Sequence, residues 1–542
     1  MVGNDNSKRY GRSRRSKYLS SSLTRRIPAR LPLLLVALLC GCASLPENVD
    51  RRHSVALTDT ANTTLGEAFQ DDLAENPGLS GFHLLGEGLD AFAARALLAQ
   101  GAERSIDAQY YLWHSDLVGR LFLDAMLQAA DRGVRVRLLI DDMALGDSKD
   151  TGVATLDAHA NVEVRVFNPF NRKNARWLQI LTRFDDVTRR MHNKSFTVDN
   201  QVSVVGGRNI GNEYFEADPN LAFADLDVLA IGPVVGDVST SFDLYWNSSV
   251  SYPVSTLVKI DESPQALDER RREHDEFIEQ QRDSEYLQAL RNSKLMTRLK
   301  NDEFEFDWGE AQVLYDDPAK VKASRDQTDL HLVTQLEPFG TQISREMTIF
   351  SPYFVPGREG VANFENLRER GVRVRILTNS LASTDVSAVH AGYSKYRKYL
   401  LRAGVELYEV DQTLTREQRK DKKGVEGSSK ASLHAKSFVI DRERVFIGSL
   451  NFDPRSVVEN TEIGIMIESA DMAQEMSDWF DRNINRIAFR LALEENANGD
   501  EILVWHRSID GEEYRYTTEP NTGFWRRFGV GLMGLLPIES LL

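Results

Sequence analysis

Cysteine is nearly absent from this chain of 542 residues, which contains only Cys40 and Cys42, both near its N-terminus. Two cysteines separated by one residue cannot tie distant segments together, so a disulfide-stabilised fold is excluded. The hydrophobic fraction of 42% is too high for a disordered chain and sufficient for a substantial core. Burial of apolar side chains must therefore hold the fold together.

The sequence also lacks a long hydrophobic run near its start. The apolar stretch at residues 31–39 is shorter than the roughly 20 residues that span a bilayer. It follows nine Lys/Arg residues and precedes Leu39-Cys40-Gly41-Cys42, which resembles a bacterial lipoprotein cleavage box. The resemblance implies export, lipidation of Cys42 and anchoring to a bacterial membrane facing the periplasm, with inner or outer membrane left open. An ordinary export signal with an incidental cysteine is the alternative.

Basic residues are too few for a general nucleic-acid-binding surface. The chain has 66 Lys/Arg against 81 Asp/Glu, and its formal net charge is −15 at pH 7. Binding to nucleic acid requires a basic footprint against the phosphate backbone. We therefore expect no nucleic-acid partner, although these counts allow a local basic pocket.

A five-residue polar motif occurs twice with identical spacing. In each copy Lys, Asp, Gly and Asn follow a histidine at offsets of 2, 7, 14 and 17 residues. The two copies are His192, Lys194, Asp199, Gly206 and Asn209, and His434, Lys436, Asp441, Gly448 and Asn451. A repeat kept only for packing does not require polar residues at fixed places. The duplication therefore predicts two similar halves that build one site with two histidines.

Hydrophobic patterning predicts an α/β fold, because strand-like and helix-like segments alternate in both halves. The predicted helices are 81–100, 117–132, 330–345 and 360–370, and the predicted strands are 105–112, 134–140, 162–167, 347–353 and 372–377. We expect the chain to divide into a signal peptide (1–42), a lead-in segment (43–80), a first domain (81–255), a charged helical linker (256–310), a second domain (311–490) and an extension with an apolar tail (491–542). Either a membrane interface or docking on the core suits that tail.

The repeated motif carries the groups needed to handle a phosphodiester. On a strand, His192 and Lys194 would share a face, while Asp199 and its counterpart Asp441 would point away and brace the structure. Both lysines with Asn209 and Asn451 would form a cradle of four donors for phosphate. No carboxylate or His/Cys cluster with metal spacing lies near the motifs, so we expect neither a metal nor a cofactor.

Two imidazoles can divide the chemistry between them. One histidine attacks phosphorus and forms a covalent phosphohistidine, while the other protonates the leaving alkoxide and then deprotonates the incoming nucleophile. A carboxylate on the second ring nitrogen would orient each imidazole. Asp227 and Glu462, at the starts of matching strand-like runs, are the candidate orienting acids. Surface carboxylates at strand starts are the alternative.

These residues resemble the phospholipase D superfamily, whose repeated signature is H-x-K-x4-D followed by G-[SG]-x-N. Residues 107–111, 190–199, 205–211 and 452–456 resemble its bacterial cardiolipin synthase C branch, and the likeness covers roughly residues 80 to 542. It implies two similar α/β/α domains with mixed sheets about a pseudo-two-fold axis, with the active site at their interface.

The resemblance also implies phosphatidyl transfer. A first phospholipid, phosphatidylglycerol or phosphatidylethanolamine, would form a phosphatidyl-histidine, and the hydroxyl of phosphatidylglycerol would then accept the phosphatidyl group to give cardiolipin. By analogy His192 is the nucleophile and His434 the acid/base, an order that the symmetry of the sequence leaves open. One departure is Gly207 where the second half has Ser449, so Ser449 is expected to serve the phosphate alone.

Three other functions remain open at this stage. A phospholipase D would use water as acceptor and release phosphatidic acid. A phosphodiesterase acting on nucleic acid is less compatible with the acidic chain. A lipid-binding protein without activity would be expected to carry at least one broken motif, whereas both copies are intact. The oligomeric state is not predicted.

Overall fold

A computed structural model describes residues 45, 51–145, 149–172, 175–218, 221–261, 263–301, 303–412, 430–509 and 511–535. The predicted export signal, Cys42 and the end of the apolar tail at residues 536–542 lie outside these ranges. In the described residues, we find no helix with both the length and the apolar content needed to cross a membrane.

Within the described ranges, twenty β-strands supply the framework. They are β1 Ser80–Leu85, β2 Ser105–Tyr110, β3 Arg135–Asp141, β4 Val162–Phe167, β5 Ser195–Val198, β6 Val202–Gly206, β7 Leu221–Ala224, β8 Asp227–Ile231, β9 Ser251–Pro253, β10 Asp307–Tyr315, β11 Glu346–Phe350, β12 Arg373–Asn379, β13 Glu406–Val410, β14 Lys430–Leu433, β15 Ser437–Ile440, β16 Arg444–Gly448, β17 Ile463–Glu468, β18 Ala488–Glu495, β19 Glu501–Ile509 and β20 Glu512–Tyr516.

Helices connect and cover these strands. They are α1 Thr64–Ala68, α2 Gln70–Glu75, α3 Gly88–Gly101, α4 Leu117–Asp131, α5 Lys149–Asp157, α6 Arg176–Thr182, α7 Phe184–Val187, α8 Pro233–Trp246, α9 Val254–Leu257, α10 Pro264–Gln281, α11 Glu285–Arg291, α12 Lys294–Asn301, α13 Leu332–Thr341, α14 Gly357–Glu369, α15 Ser387–Ser394, α16 Arg397–Arg402, α17 Ala470–Ile487 and α18 Phe524–Gly534. A π-helical turn spans Arg455–Glu459.

The strand pairings repeat in the two halves. In the first half the order is β4-β3-β2-β5-β6-β8-β1, and in the second it is β13-β12-β11-β15-β16-β17-β10. The three strands that begin each order are parallel and the others are antiparallel, so both sheets are mixed. Strand β10 joins them, because residues 307–309 pair with β1 and residues 310–315 pair with β17. This matches the expected α/β fold with two similar halves related by a pseudo-two-fold axis.

The three largest apolar clusters among the described residues are two outer cores and one shared core. Helices α3 and α4 cover one face of the first sheet, and α14 covers the corresponding face of the second. Helices α8 and α17 pack with strands from both halves in the shared core, where Val234 and Val238 meet the same cluster as Met472 and Phe480. The two halves are therefore held together by apolar contacts as well as by the β1–β10 ladder.

Some predicted elements differ from those observed. The strand at Val162–Phe167 agrees to the residue, and the charged segment forms α10 without a buried side chain, as expected. The helix predicted to begin at residue 81 begins instead at Gly88, because Ser80–Leu85 pairs with β8 and β10. The extension after residue 490 contains most of β18 together with β19, β20 and α18, and its strands continue the second sheet beyond β13.

Candidate active site

Each motif forms a short hairpin that follows its histidine and lysine. Strands β5 and β6 are joined through Asp199 and Asn200, whose φ angles are 52° and 51°, and β15 and β16 through Asp441 and Arg442 at 54° and 56°. Two consecutive residues with positive φ produce the tight turn whose twist suits antiparallel strands. The same backbone path is therefore built twice.

The motif aspartates hold these turns against the neighbouring strands, as their expected bracing role requires. The Asp199 carboxylate accepts backbone N–H groups from Glu103, Arg104 and Ser105 at 3.0, 2.7 and 2.8 Å. The Asp441 carboxylate accepts those of Ser344, Arg345 and Glu346 at 2.9, 2.7 and 2.9 Å. Neither aspartate contacts a motif histidine in these bonds.

The histidines and lysines lie just before the strands, not on them as predicted. His192 donates its backbone N–H to Thr461 O at 2.8 Å, and His434 donates to Ala224 O at 2.7 Å. Strand β14, which precedes His434, pairs in parallel with β7 of the first half. Each histidine is therefore positioned by backbone contacts from the opposite half, which places both at the interface.

Glu462 of the second half contacts His192 of the first. Its Oε2 lies 2.8 Å from His192 Nδ1 and also accepts the Ser449 hydroxyl at 2.5 Å. The Glu462 backbone N–H donates to Asp316 at 2.8 Å, which fixes the start of this segment. Burial raises the pKa of Glu462 to about 7, although the charge of Lys194 opposes the shift.

Asp225 of the first half contacts His434 of the second, which corrects the prediction of Asp227 as an orienting acid. Asp225 Oδ2 lies 2.5 Å from His434 Nδ1. Asp227 instead pairs with Arg95 at 2.8 Å and with Arg208 at 3.3 Å. Although burial alone would raise it, the charges of His434 and Lys436 hold the pKa of Asp225 at about 2.

Strand register explains why Asp225, and not Asp227, corresponds to Glu462. Motif residue Gly206 pairs with Asp227, and its counterpart Gly448 pairs with Gly464. Asp225 and Glu462 each lie two residues before those partners. Matching the two strand-like runs at their first acidic residue set Asp227 against Glu462, whereas the register sets Asp227 against Gly464.

Gly207 and Ser449 differ because the acids beside them reach the histidines differently. A Cβ at position 207 would lie 2.1 Å from Asp225 Oδ1, so only glycine leaves room for this carboxylate. Ser449, predicted to serve the phosphate, donates its hydroxyl to Glu462. In this structure Ser449 therefore positions the acid beside His192.

The predicted phosphate cradle contains two buried lysines. Lys194 Nζ donates to the carbonyl O of His192 at 2.5 Å, and Lys436 Nζ donates to that of His434 at 2.6 Å. An ammonium carries three N–H donors, so Lys194 retains protons for an anion, whereas Lys436 Nζ also lies 3.0 and 3.2 Å from Nδ1 and Nε2 of His434. The amide N–H groups of Asn209 and Asn451 donate to Tyr214 Oη at 2.9 Å and Ser456 Oγ at 3.3 Å.

Burial and nearby positive charges favour neutral imidazoles. Burial lowers the pKa of His192 well below 6.5, and Lys194, Lys436 and His434 lower it further. Burial and Lys436 also lower the pKa of His434, while Asp225 opposes the change. Burial likewise lowers the pKa of both lysines. An entering phosphate anion would offset these effects, because it stabilises nearby cations.

Aromatic rings enclose both imidazoles. The Tyr111 ring lies 5.0 Å from that of His192, and the rings of Tyr214 and Phe223 lie 5.1 and 4.9 Å from that of His434. The side chains of His192 and His434 are only 10% and 7% exposed. These walls restrict access to the two ring nitrogens that the acids leave available.

Several residues at the candidate site could not be identified from the repeated motif. Asn193 donates to Glu462 O at 3.4 Å and accepts from Thr461 Oγ1 at 2.8 Å, but the second motif has Ala435 at this position. Asn379 holds the backbone of Leu433, just before His434. Its position at the carboxyl end of a parallel strand, where α/β sites commonly form, could have identified it.

One group of metal-capable side chains occurs in the described ranges: His114, Asp116 and Glu213. Its contacts have a structural explanation, because Asp116 caps α4 through Gly119 N and His114 Nδ1 lies 3.2 Å from Glu213. None of the three residues belongs to the motifs.

Comparison with known proteins identifies similarity over both halves. The family described as "Cardiolipin synthase, PLD-like domain" matches residues 97–246 and 341–484, one segment for each motif copy. Cardiolipin synthase C of Escherichia coli (strain K12) is 42% identical over 471 residues, which cover 86% of this chain and 98% of the relative. Cardiolipin synthase B of the same strain is 26% identical over 390 residues, covering 71% of this chain and 75% of the relative.

A solved structure supports the fold. Phosphatidylserine synthase of Haemophilus influenzae Rd KW20 matches with a TM-score of 0.53 at 13% identity, over 87% of this chain and 99% of that one. At this identity the similarity concerns the fold alone, which agrees with the repeated sheet order.

Proposed function

Because this chain belongs to the cardiolipin synthase family with phospholipase D-like domains, and is thus a phospholipase D-type phosphatidyltransferase, we propose that it joins two phospholipids into cardiolipin. The observation that carries the proposed mechanism is the pair of crossed contacts, Glu462 on His192 and Asp225 on His434. Each carboxylate engages Nδ1, so the chemistry falls to Nε2, which in His434 also lies 3.2 Å from Lys436 Nζ. Two imidazoles prepared in this way can act in turn on one phosphorus atom.

The different acids favour His192 as the nucleophile. The Asp225 carboxylate, with a pKa of about 2, is ionised throughout the physiological range and stabilises a protonated His434. Glu462, with a pKa of about 7, gives weaker support to a positive charge on His192, whose own pKa is lowered well below 6.5. A neutral imidazole is the form that attacks phosphorus.

In the first step, the phosphate of phosphatidylglycerol or phosphatidylethanolamine binds between Lys194 and Lys436. The His192 Nε2–P bond forms as the bond from phosphorus to the headgroup oxygen breaks. His434 donates its proton to the leaving oxygen, which releases glycerol or ethanolamine. The lysines stabilise the charge that develops on the phosphoryl oxygens.

In the second step, the terminal hydroxyl of a phosphatidylglycerol headgroup attacks the phosphatidyl-histidine. His434 removes the hydroxyl proton as the new P–O bond forms and the P–N bond breaks. Cardiolipin leaves, and both histidines return to their initial protonation states. The same two groups thereby serve acid and base catalysis in succession.

We also propose that the chain acts at a bacterial membrane facing the periplasm, anchored through Cys42. The cleavage-box resemblance supports this location, and both lipid substrates would then lie in one bilayer plane. Either the inner or the outer membrane is compatible with this proposal.

A product assay tests transfer against hydrolysis. Labelled phosphatidylglycerol in vesicles, alone and with phosphatidylethanolamine, is incubated with the protein, and cardiolipin is separated from phosphatidic acid. We expect cardiolipin as the main product, and its absence from a His192→Ala control. Phosphatidic acid as the main product would replace the proposal with a hydrolase.

A further inference from the structure

Helix α18 presents a row of large apolar side chains to solvent. Phe524, Trp525, Phe528, Leu532 and Leu535, the last of them just beyond the helix, are exposed by 62%, 79%, 55%, 57% and 81%. The spacing of 524, 528, 532 and 535 places these residues on one face. The rings of Phe524 and Phe528 lie 6.1 Å apart and nearly parallel, with Trp525 beside both. Apolar clusters of this kind mark an interaction surface.

The opposite side of α18 is fixed to the protein. Val530 is buried against Leu381 and Ala391, and Met533 packs on the same cluster. The Arg526 guanidinium donates to Thr384 O at 3.1 Å. The direction in which the apolar row points is therefore set by packing on α15 and the loop before it.

This loop also borders the candidate active site. Asn379, where the loop begins, holds the backbone of Leu433 beside His434. At the far end, the exposed Asp385 accepts the Tyr353 hydroxyl at 2.7 Å and raises the pKa of His434 and Lys436 against burial. Residues 379–385 thus connect the His434 side of the site to the support of α18.

The charge of the segment suits an anionic lipid surface. The described residues 520–535 contain Arg526 and Arg527 and no Asp or Glu, whereas the whole chain carries −15. Trp and Arg beside aliphatic side chains are typical of helices lying at the boundary of headgroups and acyl chains. A soluble partner would not explain why this row lies beside a site that handles phospholipids.

We infer that the exposed face of α18 inserts into the surface of an anionic phospholipid bilayer and holds the His434 side of the site against the lipid. This inference rests on the proposed function, because it assigns the route by which phospholipid reaches the site. The helix lies in the plane of the interface, with Phe528 and Leu532 among the acyl chains and the arginines at headgroup level.

Tryptophan quenching provides a local test in the full-length chain. Phosphatidylglycerol vesicles with brominated acyl chains are added, and the quenched fraction is compared with that of Trp525→Phe and Trp479→Phe. Trp479 is also exposed, but on α17. We expect Trp525→Phe to lose a quenched component that Trp479→Phe retains. Equal quenching in all three proteins, or self-association through this face without quenching, would overturn the inference.

Activity separates this inference from the proposed function. Phe528→Asp with Leu532→Asp should lower cardiolipin formation from vesicles at least tenfold and change that from monomeric short-chain phosphatidylglycerol less than twofold. If the double variant and the unmodified chain formed cardiolipin from vesicles at equal rates, the proposed role of α18 would be refuted and the proposed function would stand. If the unmodified chain makes no cardiolipin from either substrate, the proposed function fails, while the quenching result still decides whether α18 inserts.

Discussion

The two carboxylates that face the motif histidines occupy equivalent positions but carry charge differently. Asp225 is held ionised by His434 and Lys436, whereas burial raises the pKa of Glu462 to about 7. The two motifs are therefore alike, but the carboxylates that influence the charge of their histidines are not. Sequence symmetry left the order of the histidines open, and this electrostatic difference supports one order.

Replacing Asp225 with Asn should move the alkaline limb of the pH profile of kcat/KM to lower pH. The Asp225 charge raises the pKa of His434 against burial. Without it, His434 loses the proton needed by the leaving group at a lower pH, and kcat/KM should fall by about 10²-fold or more.

Asp227→Asn is the matched control, because Asp227 lies two residues away and pairs with Arg95 and Arg208 instead. It should lower the free energy of unfolding by about 3 kcal/mol and leave the position of the alkaline limb unchanged. If the alkaline limb of the pH profile lay at the same pH in Asp225→Asn as in the unmodified chain, His434 would not be the acid that protonates the leaving group.

Gly207→Ala should reproduce the pH effect of Asp225→Asn without changing a charge. The added Cβ would overlap Asp225 Oδ1 and push the carboxylate away from His434. Gly236→Ala on α8 is the control, because a Cβ there meets no atom within 4 Å. A normal pH profile in Gly207→Ala would show that the Asp225 position tolerates displacement.

At the level of elements, the two motif hairpins are built alike because their aspartates perform the same bracing. The repeated spacing located these two segments, since it depends on local sequence alone. Residues 81–85 of β1 were predicted as helix because the pairing of this strand with β8 and β10 involves residues more than a hundred positions away. Long-range pairing of this kind leaves little trace in a short window of sequence.

Asp199→Ala and Asp441→Ala should each lower the free energy of unfolding by about 3 kcal/mol. Each change leaves backbone N–H groups at the start of a neighbouring strand without their acceptor. Denaturant unfolding measures the effect. Asp131→Ala, which removes a half-exposed carboxylate, should cost less than about 1 kcal/mol. Similar costs in all three variants would argue against the bracing role.

Over the whole molecule, the two halves depend on each other for their function and their stability. The repeat predicted the His, Lys and Asn residues. Aligning the acids at the starts of the strand-like runs led to Asp227 instead of Asp225, because Asp225 lies two residues before its strand and Glu462 only one residue before its own. The strands after residue 490 were missed because they extend the second sheet without a counterpart in the first.

Arg189→Met should weaken the contact between the halves. Arg189 is buried, pairs with Glu459 at 2.9 Å and donates to the carbonyl oxygens of Lys320 and Ala323. Its loss should lower the free energy of unfolding by about 3 kcal/mol, whereas Arg271→Met, at a partly exposed ion pair, should cost about 0.5 kcal/mol. Equal effects would contradict a stabilising role for this interface contact.

The most direct measurement is to trap the lipid on the chain during turnover. Phosphatidylglycerol labelled at phosphorus is mixed with the protein, and the reaction is stopped with denaturant in alkali, in which a phosphohistidine survives. We predict acid-labile label on the peptide containing His192, none in His192→Ala, and turnover lowered at least about 10³-fold in both His192→Ala and His434→Ala. Two results would contradict the shared two-histidine site. One is that the unmodified chain forms cardiolipin without label on either histidine, and the other is that His192→Ala forms cardiolipin at a normal rate.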